Sequence, residues 1–141
     1  MTESALRQGQ GTRYGVLVVD DHPRSRDLLC SIILAASGPL DVCSVIEAAS
    51  GEEGVVLSRC YVPDVVVMDI GLPGINGFEA ARQIKEQLSS VTTVMVTAME
   101  EPTWREEASR AGAAGFLTKN LAATQLVPLL SRILQGRPEG G

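Results

Sequence analysis

The 141-residue chain has no apolar run long enough to cross a bilayer. Its opening segment, Met1 to Arg13, is polar and lacks the apolar stretch of a secretion signal. The cytoplasm is therefore the expected compartment, with no membrane partner. Positive charge is scarce: 12 Lys and Arg stand against 17 Asp and Glu, a net charge of −5. That argues against non-specific nucleic-acid binding by this chain alone. Cysteine is also sparse. Cys30, Cys43 and Cys60 are odd in number and widely spaced, so neither a disulfide framework nor a zinc knuckle is expected. Each lies in or beside an apolar segment and reads as a small core hydrophobe. His22 is the single histidine and reads as a loop residue beside whatever pocket forms there. No glycine-rich phosphate loop follows the first apolar run, which gives way to Asp20-Asp21-His22-Pro23; nucleotide binding is not expected. The chain carries no internal repeat and no second domain.

What the chain does have is a regular alternation. Apolar residues make up 45% and charged residues 21%, enough for one domain with a substantial core. Residues 1–13 and 137–141 read as flexible tails around a domain spanning 14–136. Strands are expected at Tyr14–Asp20, Asp41–Ala49, Val65–Asp69, Val91–Thr97 and Ala114–Thr118. Between them lie helices. The first starts at Pro23 and runs to about Ser37, with Leu28, Leu29, Ile32, Ile33 and Ala36 on one face, and Gly38-Pro39 stops it. Ser50 with Glu53 forms a capping box for the second, which carries Val55, Val56 and Leu57. Asn76 caps the third. Pro102 opens the fourth, and Gly112 ends it. The last spans about Ala122–Gln135 and holds Pro128, which should kink it at a cost of roughly 3 kcal/mol. Five strands alternating with five helices make a parallel sheet covered on both faces.

Ligands of such sheets bind beyond the carboxyl ends of the strands. Asp20 and Asp21 follow the first strand, Asp69 ends the third, Thr97 the fourth, and Lys119 follows the fifth. Any one of these has a bland explanation as a turn or solvated residue. Their joint placement on one sheet edge does not. Two carboxylates about 4 Å apart repel by roughly 4 kcal/mol at an effective dielectric of 20. Such a cluster takes up a proton or a cation, and oxygen ligands favour a hard ion such as Mg²⁺. Lys119 adds an ammonium and Thr97 a hydroxyl, which suits phosphoryl oxygens, and a carboxylate such as Asp69 can form an acyl phosphate.

Val16-Leu17-Val18-Val19-Asp20-Asp21-His22-Pro23, Val67-Met68-Asp69 running through Gly77, Val96-Thr97-Ala98, and Ala111 through Lys119 together resemble the receiver domain of bacterial two-component response regulators. The resemblance covers about residues 14–136. It implies a flavodoxin-like five-stranded parallel sheet, order 2-1-3-4-5, with five helices on both faces. It implies that Asp69 is the phosphoacceptor for a phosphohistidine of a sensor histidine kinase. Asp21 and Asp69 would ligate Mg²⁺, Asp20 would act through water, and Gly71 would offer its backbone carbonyl. Lys119 would pair with the phosphoryl group, Thr97 would swing in to hydrogen-bond it, and Phe116 would be the aromatic switch. The face formed by the fourth helix, fifth strand and fifth helix would carry output or dimerisation, with Pro128 reshaping its flank.

Three departures from the family pattern bear on function. Phe116 lacks a hydroxyl, so its switching would rest on packing alone. Gly71 stands where many receivers carry a side chain, so water would reach the acyl phosphate easily and its lifetime would be ordinary or short. Asn120 replaces a common proline, and Asn120 through Leu126 resembles receivers joined to a helix-turn-helix DNA-binding domain. The chain reads either as a fragment lacking that domain or as a single-domain regulator acting on an output protein. Trp104 and Met99 read equally as a partner contact or as core packing. Two other functions stand beside the switch: a receiver-like docking module that takes no phosphate, and an aspartyl-nucleophile phosphatase. The latter wants acids two apart after the first strand, whereas Asp20 and Asp21 are adjacent.

Overall fold

The computed structural model describes residues 13–36 and 41–136. The expected helix stop at Gly38-Pro39, and the expected tails apart from Arg13, lie outside the described residues. Five strands form one parallel sheet: β1 Tyr14–Val19, β2 Val42–Ala48, β3 Val65–Asp69, β4 Thr92–Thr97 and β5 Gly115–Thr118, in the order β2-β1-β3-β4-β5. The helices are α1 Pro23–Leu34, α2 Gly51–Tyr61, α3 Gly77–Gln87, α4 Trp104–Arg110 and α5 Ala122–Gln135, with a 3-10 turn at Lys119–Leu121 before α5.

Side-chain alternation along the strands builds two cores. Val16, Val18, Val65, Val67, Val94, Val96 and Leu117 face α1 and α5, whose Leu29, Ile33, Leu126, Leu130 and Leu134 close over them. Leu17, Val19, Val66, Met68 and Met95 face the other way, against Val55 of α2, Phe78, Ala81 and Ile84 of α3, and Ala108 of α4. Because helices cover both faces, the central strands β1 and β3 are buried along their whole length, and β3 is continuously apolar up to Asp69.

The helix starts follow local chemistry. Pro23 occupies the first turn of α1, where its missing N–H costs nothing. Ser50 Oγ accepts from the Glu53 N–H, while the Glu53 carboxylate reaches back to the Ala49 N–H, one residue before the usual capping-box partner. Asn76 Oδ1 accepts from the Glu79 N–H. α2 ends on an unusual backbone conformation. Val62, just before Pro63, takes a left-handed conformation with φ 44°.

Some expected core residues are not core. Cys30 is buried, but Cys43 and Cys60 are exposed. Cys43 lies on β2, an edge strand whose residues before Ala48 are exposed or only partly buried. Leu28 and Val56 also face solvent on α1 and α2, because each helix buries only a narrow stripe. α5 runs through Pro128 as one helix, with the proline exposed. On that face solvent can take the carbonyl that the missing N–H leaves free.

Candidate functional site

Strand alternation also aims the acids. Asp20 continues the series Val16, Val18; Asp69 continues Val65, Val67; Lys119 continues from Leu117. All three therefore leave the sheet edge toward the same face. β1 and β3 are neighbours at the point where the strand order reverses, the expected place for a ligand site. Lys119 Nζ closes the group, donating to Asp20 Oδ2 at 2.8 Å and to Asp69 Oδ2 at 3.1 Å. Asp20 is wholly buried and Asp69 nearly so.

The two carboxyls differ in their electrostatics. Burial works against charge on Asp20. Hydrogen bonds from Lys119, the Ser25 side chain and the His22 N–H outweigh it, so its pKa lies below the ordinary carboxylate value. At Asp69 burial wins: its pKa is pushed up, and the Lys119 ammonium offsets only part of the rise. Burial also opposes the charge on Lys119, but Asp20 and Asp69 together hold its pKa above the usual lysine value.

Among the described residues, one buried carboxylate oxygen makes no hydrogen bond. Asp21 Oδ1 is buried and accepts no hydrogen bond, an arrangement that costs about 1–3 kcal/mol unless something else meets it. One ligand atom each from Asp20, Asp21, His22 and Asp69 can come within 4.8 Å of one another. The donor set is dominated by carboxylate oxygen, which fits a hard divalent cation. His22 is exposed, with its Nδ1 3.2 Å from Asp21 Oδ1, and so stays at the rim as expected.

The loop after β3 is shaped by two glycines. The Gly71 N–H points back to Asp69 Oδ1 at 3.3 Å, and a side chain added at Gly71 would meet open space. Gly77 is the opposite case. A Cβ there would lie 2.2 Å from the Asp69 carbonyl oxygen, so only glycine lets α3 begin directly beneath the acid.

Thr97 and Phe116 have the other strand parity. They lie on the α4 side of the sheet with Met95. The Thr97 hydroxyl donates to the Met99 carbonyl at 2.7 Å and accepts from the Met99 N–H at 3.3 Å. Phe116 is half-buried, and the Arg105 guanidinium sits 4.7 Å from its ring centroid. The expectation that Phe116 depends on packing alone is thus corrected: a cation lies over its face. Trp104 packs edge-on against Phe78 and belongs to the core, while Met99 stays exposed. Sequence reasoning passed over Ser25, Gly77 and Arg105. Gly77 could have been read from its position at the start of a helix directly after a functional loop. Arg105 carried no signal, since its partners lie on other elements.

The family model described as the response regulator receiver domain matches residues 16–131. The chain belongs to this family. The receiver domain is 37% identical over 123 residues to the response regulator GacA of Pseudomonas viridiflava, covering 86% of this chain and 56% of that protein. It is 35% identical to protein PilH of Pseudomonas aeruginosa, with 86% of this chain and 98% of PilH aligned. Among solved structures, a LuxR-family two-component response regulator from Aurantimonas sp. SI85-9A1 superposes with a TM-score of 0.80 at 34% identity, over 89% of this chain and 88% of that one. The receiver domain of the NarL response regulator from Mycobacterium tuberculosis gives 0.78 at 30% identity, over 89% and 98%. This receiver spans about half the length of the GacA relatives it matches. Its sheet order and helix placement are those of the receiver fold, and its place is in two-component signalling.

Proposed function

We propose that Asp69 is the phosphoacceptor of this receiver. Its carboxylate oxygen attacks the phosphorus of a phosphohistidine on a sensor histidine kinase. The P–N bond breaks, its electron pair returns to the imidazole, and an acyl phosphate forms on Asp69. The observation that carries this reading is Lys119, whose ammonium touches both Asp20 and Asp69 beside a buried Asp21 oxygen that accepts no hydrogen bond. Lys119 holds a positive charge where the phosphoryl oxygens arrive. Asp20, Asp21, Asp69 and the Gly71 carbonyl would hold Mg²⁺, which when bound supplies charge neutralisation for those oxygens. Thr97 gives up its Met99 bond to reach the phosphoryl group, and Phe116 moves with it. The open space at Gly71 leaves the acyl phosphate accessible to water. The reaction occurs once per phosphorylation, so the domain is a switch rather than an enzyme.

The domain comprises residues 14–136, works in the cytoplasm, and acts on an output protein, a second copy of itself or an attached DNA-binding domain. The longer GacA-type relatives and the LuxR-family neighbours support the last of these.

The test is mass spectrometry after incubation with Mg²⁺ and acetyl phosphate. One phosphoryl mass should appear, be absent from Asp69→Ala, and decay within hours once the donor is removed. A folded wild-type protein that gains no mass overturns the reading in favour of a docking module. Continuous turnover of the donor overturns it in favour of a phosphatase.

A further inference from the structure

The segment leaving β4 is poorly covered: Ala98 through Thr103 are all exposed. Two side-chain arrangements nonetheless fix it. At one end the Thr97 hydroxyl is bonded to Met99 in both directions. At the other end Glu100 grips Arg105 with both carboxylate oxygens, at 2.7 Å to Nε and 3.2 Å to Nη2. The same guanidinium covers the ring of Phe116. One cation thus joins the β4–α4 segment, the start of α4 and β5. The start of α4 is itself held down by Trp104 against Phe78. The segment, not the helix, is therefore the part free to move.

We propose that Glu100 and Arg105 form a latch that holds Phe116 at the surface and keeps the 98–101 segment, with the Thr97 hydroxyl, in its resting position. This rests on the reading of Asp69 as phosphoacceptor. For Thr97 to reach a phosphoryl group it must release the Met99 carbonyl. That release shifts the backbone carrying Glu100, only one residue further on. The shift pulls the carboxylate from Arg105 and loosens the guanidinium from the ring. The reverse also holds: a closed latch opposes movement of Thr97, because both arrangements share the same short segment. Arg105 is a positioning residue. It supplies from outside the ring the restraint that a phenolic hydroxyl would supply at its tip. An exposed ion pair is ordinarily weak, but this one is bidentate and continues into a cation–π contact, so the two act as a unit.

The latch biases the resting state, so breaking it should tighten binding of a phosphoryl mimic. The probe is beryllofluoride with Mg²⁺, titrated calorimetrically. Arg105→Gln, which removes both contacts, should bind roughly 3- to 10-fold more tightly than wild type. Glu100→Gln, which weakens only the ion pair, should gain roughly 2-fold. The double variant should match Arg105→Gln, since the two residues work through one guanidinium. Unchanged or weaker binding in variants with native circular dichroism overturns the latch. If wild type binds no beryllofluoride at all, the phosphoacceptor reading fails instead. The latch is then decided without ligand. The ¹³C–¹H resonances of the Phe116 ring should shift in Arg105→Gln, and amide exchange at 98–101 should accelerate. Failure of both to change overturns it.

Discussion

Asp20 and Asp69 share one lysine and yet should answer substitution in opposite directions. Asp69 has a raised pKa, so its charge opposes folding. The stability linked to a raised group is present below its unfolded value, about 3.9, and lost as pH rises through the folded value. Asp69→Asn removes that loss. It should melt a few degrees above wild type at pH 7, with the gap closing as the pH falls toward 4. Asp20 has a lowered pKa, so its stability is present above about 3.9 and is lost as pH falls through the folded value. Asp20→Asn should be less stable than wild type at pH 7 by about 1–3 kcal/mol, because a wholly buried acceptor of Lys119 is gone. Thermal melts of the three proteins across pH 4 to 7 check both signs; equal signs refute the assignment of roles. That Asp20, Asp21, Asp69 and Lys119 would meet was legible in the sequence, because each closes or follows an apolar strand. Their individual pKa directions were not, since they depend on Ser25 and the His22 N–H from the neighbouring loop. Nor was the guanidinium over Phe116, which joins residues that no local pattern connects.

Elements were legible wherever hydrophobic period and capping chemistry agreed. β1, β3 and the start of α3 lie where the sequence puts them, because continuous apolar runs and the Asn76 cap leave few alternatives. Burial on the outer elements was less legible. A cysteine in an apolar segment reads as core, but β2 is an edge strand, and only the strand order shows why Cys43 is exposed. The end of α2 carries a feature that no local pattern announces. Pro63 announces a stop, but not that Val62 must turn left-handed to make it. A branched residue pays about 1–2 kcal/mol for that conformation. Val62 is also exposed, so its side chain contributes little packing in return. Its N–H bond to the Ser58 carbonyl uses backbone alone and survives replacement. Val62→Gly should therefore stabilise the domain by about 1 kcal/mol, the left-handed strain removed being larger than the added unfolded-state freedom of glycine. Denaturant titration should show a higher midpoint with an unchanged slope; a lower midpoint would mean that the Val62 side chain matters where it lies.

The molecule as a whole ties its stability to its site. Asp20 and Asp21 follow β1, Asp69 ends β3 and Lys119 follows β5, so Lys119 meets Asp20 across 99 residues of chain. An unfolded chain has no means of holding these groups together against loop-closure entropy and mutual repulsion. A cation that needs Asp20, Asp21 and Asp69 at once therefore binds the folded state and not the unfolded one. Binding of that kind raises stability by RT ln(1 + [L]/Kd), about 2.7 kcal/mol at a hundredfold excess over Kd. In a domain of this size that corresponds to a rise in melting temperature of roughly 10 °C. The rise should continue logarithmically with Mg²⁺ concentration beyond the Kd, unlike general screening by salt, which saturates and does not discriminate Mg²⁺ from an equal ionic strength of Na⁺. Asp21→Asn isolates the cause. It neutralises Asp21, which among the described residues holds the one buried carboxylate oxygen lacking a hydrogen bond, while leaving both Lys119 contacts in place. The variant should fold as wild type does in Na⁺ and lose most of the Mg²⁺-dependent rise. If it keeps the full rise, Asp21 is not a ligand, and its buried oxygen is stabilised in some other way.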